Sequence, residues 1–169
     1  MSHLVLTVVG DDRAGLVNAL ADTVSSHGGN WERSELAELA GAFAGIVLVS
    51  VPDDRADELT AALEGMAGLL RVTTHLSSHA AAPASAQELA VTVTGNDHPG
   101  IVRDVTAAIA ANSLSIESFH SRTLDAPMSG GTLFEATAEV RISSETDAAA
   151  LTAALERLAG EIQVDITID

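Results

Sequence analysis

The 169-residue sequence contains no cysteine, no lysine and no tyrosine, and only 2% of its residues are aromatic. Absence of cysteine excludes disulfides, thiolate nucleophiles and sulfur-ligated metals, and is compatible with a reducing cytoplasm. With so few rings, a chain that is 47% hydrophobic must build its core from Val, Leu, Ile and Ala. Eight arginines face 24 acids, giving a formal net charge of −16. A nucleic-acid surface needs clustered positive charge, and these arginines are scattered, so direct nucleic-acid contact is not expected. No apolar run reaches the ~18 residues of a membrane span, and the first residues lack the basic-then-apolar pattern of a secretion signal. A soluble cytoplasmic protein without membrane contact is the expectation.

What the chain does contain is a repeat. Leu4-Val-Leu-Thr-Val-Val-Gly-Asp-Asp-Arg-Ala-Gly15 aligns with Leu89-Ala-Val-Thr-Val-Thr-Gly-Asn-Asp-His-Pro-Gly100. Farther on, Leu59-Thr-Ala-Ala-Leu-Glu64 recurs as Leu151-Thr-Ala-Ala-Leu-Glu156, with the spacing between copies grown from 85 to 92 residues. Two units of about 80 residues therefore fill the chain, the second longer by an insertion placed around Asp125 to Gly131. The expected domains are 1–78 and 88–169, joined by a small-residue, Pro-containing linker at 79–87. Asp125 to Gly131 reads as a long hairpin loop, with a lid as the functional alternative.

In each unit the apolar residues alternate along a strand and then recur at helical spacing, as in Leu16, Leu20, Val24 and in Ile101, Val105, Ile109. The pattern predicts a strand at Leu4–Val9, a helix at Ala14–His27 ended by Gly28 and Gly29, strands at Asn30–Leu39 and Phe43–Val51, a helix burying Leu59, Leu63 and Met66, and a strand at Leu70–Leu76. The second unit repeats this order, with strands from Glu88, near Ser115–Leu124, at Thr132–Ile142 and at Gln163–Ile168, and helices from Pro99 and Glu145. The fold class is thus α+β: two ferredoxin-like βαββαβ domains, each a four-stranded antiparallel sheet with two helices on one face. Ile46–Val51 and Ala136–Ile142 read as strands apolar on both faces. This predicts a homodimer, or two sheets that join, since an uncovered apolar edge invites aggregation.

The chemistry concentrates at the two glycine turns. Gly10 and Gly15 have the outer spacing of a phosphate loop, but Leu16-Val17 and Ile101-Val102 stand where Lys-Ser/Thr is required, and acids inside the turns repel phosphate. A zwitterion suits them better. Helix-start amides near Gly15 and Gly100 can hold a carboxylate while Asp11, Asp12, Asn96 or Asp97 faces an ammonium. The alternative is that these side chains only cap helices, with Pro99 in the first helical turn. Asp53, Asp54, Asp57 and Glu58 read as charges at a helix start rather than a metal cluster. The six histidines supply no metal constellation, and His98, His120 and Asp97 lack a nucleophile to serve, so no metal, cofactor or catalytic residue is expected. Trp31 is expected to pack an interface.

The repeated Gly-x-Asp-x-x-Gly-Leu/Ile-Val turn, the Gly29-Asn30-Trp31 entry to the second strand and the six-element order resemble tandem ACT domains, small modules that bind amino acids and regulate metabolism. The likeness covers nearly the whole chain. Its two-domain form without an attached enzyme is similar to the glycine cleavage system transcriptional repressor group. The resemblance implies a non-enzymatic, amino-acid-binding regulatory protein acting through a protein partner. The ligand would lie between paired domains, touching the first turn of one and the second strand of its neighbour, and would bias how they pack. It would assign Asp11, Asp12, Arg13, Ala14, Gly15, Leu16 and Asn30 in the first unit, and Asn96, Asp97, His98, Pro99, Gly100, Ile101 and Ser115 in the second. Ala14 replaces the pattern's proline and Ser115 its asparagine, so the two sites are not equivalent. A ligand-independent adaptor is the reading from another class; a relative of formyltetrahydrofolate deformylase would need a catalytic domain that does not follow.

Overall fold

The computed structural model describes residues 1–77, 87–125, 130–142, 144–158 and 162–168. Its internal contacts divide the chain into two units, Met1–Ala81 and Ala82–Asp169. The expected linker at 79–87 lies, apart from Gln87, outside the described residues, as do 126–129 of the expected hairpin loop. No described helix is long and apolar enough to cross a membrane.

The first unit runs β1 (Ser2–Asp11), α1 (Leu16–Ser26), β2 (Asn30–Leu39), β3 (Ala42–Val51), a single 3-10 turn at Asp53–Arg55, α2 (Ala56–Glu64) and β4 (Arg71–Leu76). The second repeats it: β5 (Gln87–Asn96), α3 (Ile101–Ala111), β6 (Ser115–Asp125), β7 (Thr132–Ile142), α4 (Glu145–Glu156) and β8 (Ile162–Ile168). Both sheets are four-stranded and antiparallel, in the orders β2-β3-β1-β4 and β6-β7-β5-β8. This is the expected pair of ferredoxin-like units.

Alternation decides which face each strand buries. Leu4, Leu6 and Val8 of β1 and Val47, Val49 and Val51 of β3 meet Leu16, Leu20 and Val24 of α1 and Leu59 and Leu63 of α2 in one core. Leu89, Val91 and Val93 with Phe134, Ala136, Ala138, Val140 and Ile142 form the second, against Ile101, Val105, Ile109, Leu151 and Leu155. Each such Leu, Ile or Val contributes about 1.5–3 kcal/mol by leaving water. Trp31 is half-buried against the first core, and Met66 is only partly buried there.

α1 ends as its glycines suggest: the Gly28 amide donates to the Ser25 carbonyl at 2.9 Å and the Gly29 amide to that of Val24 at 3.0 Å, the paired bonds of a Schellman motif. Most of the extra length of the second unit falls in its β6–β7 hairpin, where the sequence repeat places it. β6 and β7 are each one residue longer than β2 and β3, and residues 126–131 join them where the first unit needs only Ala40 and Gly41.

Two expectations about β3 and β7 are overturned. Both are inner strands, hydrogen-bonded on both sides, so neither is an edge. β7 is also not apolar on both faces: Glu135, Thr137, Glu139 and Arg141 alternate with its buried residues. Only β3 carries the doubly apolar pattern, with Ile46 49% exposed on the outer face. The edges β2 and β6 are instead lined with charged residues, the usual guard against strand addition.

Candidate functional site

In both units β1-type and α1-type elements are joined by a turn whose last residue is a left-handed glycine. Gly15 has φ 91° and ψ 0°, and Gly100 has φ 96° and ψ −3°. These conformations are costly for any residue with a Cβ. Each glycine is the N-cap of its helix, and neither helix receives a side-chain cap. The capping reading of Asp12, Asn96 and Asp97 is therefore wrong, and Pro99 precedes the cap instead of opening the helix. Helices start at Leu16 and Ile101, later than Ala14 and Pro99, because the left-handed residue must come first.

The acids anchor the turns by their backbones. The Asp12 amide donates to the Gly41 carbonyl at 2.9 Å, and the Asp97 amide to that of Thr132 at 2.9 Å, so each turn is tied to the hairpin of its own unit. Their side chains, with those of Asp11 and Asn96, are exposed. Among the described residues the amides of Leu16, Val17 and Asn18 have no protein acceptor; the Ala19 amide is the first satisfied, by the Gly15 carbonyl at 2.9 Å. In the second turn the Ile101 amide donates to the His98 carbonyl at 3.3 Å, leaving Val102 and Arg103, and the Asp104 amide reaches Gly100 at 3.0 Å. Three unpaired donors thus face one turn and two the other, each aided by the positive end of the helix.

The surroundings differ more. A Cβ built on Gly15 meets nothing within 4 Å, whereas one on Gly100 would lie 3.1 Å from Arg103 Nη2. Arg103 donates through Nε to Asp104 Oδ1 at 2.9 Å, and that hydrogen bond, then the carboxylate's charge, hold its pKa above the ordinary value. Asn18 occupies the equivalent place in the first turn and donates to Asp22 Oδ2 at 2.9 Å. His98 places Nδ1 3.3 Å from the Pro99 carbonyl. Arg13 turns away from the helix start: its Nη2 donates to the carbonyls of Gly68 at 3.0 Å and Leu69 at 3.2 Å.

The structure does not bring every expected residue together. Asn30 pairs with Ser50, which pairs with His3 at the far end of β1 from Asp11. Eight residues of strand separate the two levels, about 26 Å at 3.3 Å per residue. Ser115 stands in the same relation to Asn96, level with Arg141 and Glu88. Within one unit, Asn30 and Ser115 cannot touch a ligand at the turn. The carbonyls of Gly41 and Thr132 that anchor the turns escape sequence reasoning, because a backbone acceptor leaves no mark on residue identity.

A family model of the ACT domain matches residues 2–77 and again 87–169. The chain is 28% identical, over 99% of its length and 89% of the relative's, to the glycine cleavage system transcriptional repressor of Escherichia coli K12. A crystal structure of an unknown protein from Galdieria sulphuraria superposes with a TM-score of 0.83 at 30% identity, covering 99% of this chain and 98% of that one. A second solved structure, described as a candidate glycine cleavage system transcriptional repressor, superposes at 0.71 with 23% identity, covering 99% and 97%, and so shares the fold.

Proposed function

Because this chain belongs to the ACT domain family, in tandem form, we propose that it is a non-enzymatic regulatory protein that binds a small amino acid at its glycine turns. The observation that carries this reading is the set of unpaired helix-start amides, at Leu16 to Asn18 and at Val102 and Arg103, each beside a left-handed glycine and exposed acids. The amides take the carboxylate; Asp12 and Asp97, which do not cap, are free to face the ammonium. The first turn contributes Asp11 to Leu16 and the second Asn96 to Ile101.

Binding alone switches nothing. The ligand must favour one packing of the protein over another, and a partner must read the difference. With a net charge of −16 that partner is another protein, in the cytoplasm, rather than DNA. No cofactor or metal enters this scheme.

A thermal-shift screen over the amino acids at millimolar concentration tests it. A ligand present at 100 times its Kd adds about 2.7 kcal/mol to the native state, enough to raise Tm measurably. If no amino acid raises Tm, the binding reading is lost and the adaptor remains.

One observation favours association in its own right. Val9, Ile46 and Leu39 of the first unit are exposed apolar residues on the outer face of the sheet, at 45%, 49% and 77%. Such a concentration of apolar surface suits contact with a second copy, and a homodimer would let Asn30 of one copy meet a turn of another. Light scattering should give twice the chain mass; a monomer at micromolar concentration removes the dimer.

A further inference from the structure

Five of the eight arginines are ion-paired: Arg33 with Glu35, Arg55 with Glu58, Arg103 with Asp104, Arg122 with Glu135 and Arg141 with Glu117. Among the described residues Arg13, Arg71 and Arg157 have no carboxylate partner, and two of these three line one cavity. That cavity, about 340 Å³, wraps the end of β1 in the first unit. Its walls include Gly10, Asp11, Arg13, Gly68, Leu69 and Arg71. In a chain with three acids for every base, two guanidinium groups without an ion-pair partner, against the single carboxylate of Asp11 in the lining, leave this hollow with a net positive charge.

The hollow is built, not incidental. Arg13 is fixed by two carbonyls of the loop between α2 and β4, which use one of its nitrogens and leave other N–H donors free. That loop is seated tightly on β1, since a Cβ at Gly10 would lie 2.9 Å from the Leu69 carbonyl oxygen. Arg71 opens β4 directly across from Val9. A guanidinium held in place before the ligand arrives loses less freedom on binding. Asp11 adds one negative charge at the lip, which suits a ligand that also carries a hydrogen-bond donor. The volume lies at the lower end of small-molecule sites, about 300–1,000 Å³.

Neither arginine is repeated. His98 aligns with Arg13, and Gln163 pairs with Thr94 where Arg71 pairs with Val9. We propose that this cavity is an anion site, one per chain, for a small metabolite bearing a carboxylate or phosphate group, held by Arg71 and Arg13. It shares Asp11 and Arg13 with the first turn but uses none of the helix-start amides of Leu16 to Asn18, so it does not require that those amides bind an amino acid.

The test is amide NMR on the full chain, titrated at low ionic strength with succinate, with inorganic phosphate and, as a separate arm, with glycine. Succinate, phosphate or both should shift the Gly10, Gly68 and Leu69 amides saturably, and which one responds identifies the source of the anion. Arg71→Gln should weaken that binding about tenfold or more, the loss of a charged hydrogen-bond partner. Asp11→Asn should tighten it. No saturable shift with either anion, or unchanged affinity in Arg71→Gln, overturns the site. Should Arg71→Gln lose its spectral dispersion, unchanged or weaker binding by Asp11→Asn overturns it instead. Glycine is read at Leu16 to Asn18, so failure of one site is distinguishable from failure of the other.

Discussion

Gly15 and Gly100 are glycines for a backbone reason before any ligand is considered. Their positive φ disfavours a side chain, so alanine at either position should cost about 1–2 kcal/mol in urea unfolding. At Gly100 the new Cβ would also approach Arg103, but a guanidinium is the far end of a flexible chain and can move. Removing it with Arg103→Ala should therefore not rescue Gly100→Ala. A neutral Gly15→Ala would mean that the turn is not left-handed in solution. The same strain makes valine at these positions a poor probe of ligand contact, because the fold itself is weakened. Asp53 gives a second residue-scale expectation. Ser2 Oγ donates to Asp53 Oδ1 at 2.7 Å, and the Met1 ammonium lies 3.0 Å from Oδ2. The hydroxyl first, then the ammonium, hold the Asp53 carboxyl below its ordinary pKa. A folded-state pKa below the unfolded one stabilises above the unfolded value, and that contribution is lost as pH falls through the folded one. Carbon-detected titration should find the Asp53 midpoint below the usual carboxylate value and returning toward it in Ser2→Ala; an unmoved midpoint rules out the hydroxyl as its cause.

At the scale of elements, the four helices start in different ways. α4 has a capping box: Asp147 N–H donates to Ser144 Oγ at 3.3 Å, and Ser144 N–H to Asp147 Oδ2 at 3.0 Å. α1 and α3 have no side-chain cap at all. Ser144→Ala should therefore cost about 0.5–2 kcal/mol, while Asp12→Ala and Asp97→Ala should stay within about 0.5 kcal/mol of wild type, as surface changes do. Urea melts of the three variants check this. Equal losses in all three would show that the turn acids cap after all. If amino-acid affinity falls in Asp97→Ala while stability does not, the carboxylate meets ligand.

For the whole molecule, charge sets the partner class. A net −16 repels a polyanion, and one small hollow with two arginines cannot neutralise a run of phosphates, so the purified protein should give no band shift with DNA even at low salt, where any electrostatic binding would be strongest. A salt-sensitive complex formed by the protein alone would overturn the view that it acts through another protein.

Local pattern determined the elements. Alternation in Leu4–Leu6–Val8 and the i, i+4, i+8 spacing of Leu16, Leu20 and Val24 are one-dimensional records of which side chains leave water, so β2 and β7 begin and end where the sequence places them, and the repeat dictates that the fold is made twice. The glycine turns were legible for the same reason: a left-handed backbone restricts residue type. Tertiary structure alone decided what those turns are tied to and what lies beside them. Whether Asp12 caps or anchors depends on its amide reaching Gly41, and whether Arg13 faces the helix start or the loop carbonyls of Gly68 and Leu69 depends on a loop more than fifty residues away. The inner position of β3, the polar outer face of β7, the separation of Asn30 from Gly15 and the shared cavity of Arg13 and Arg71 are likewise set by strand order and register. Hydrogen bonding between distant segments fixes these relations, and backbone donors and acceptors are the same in every residue but proline.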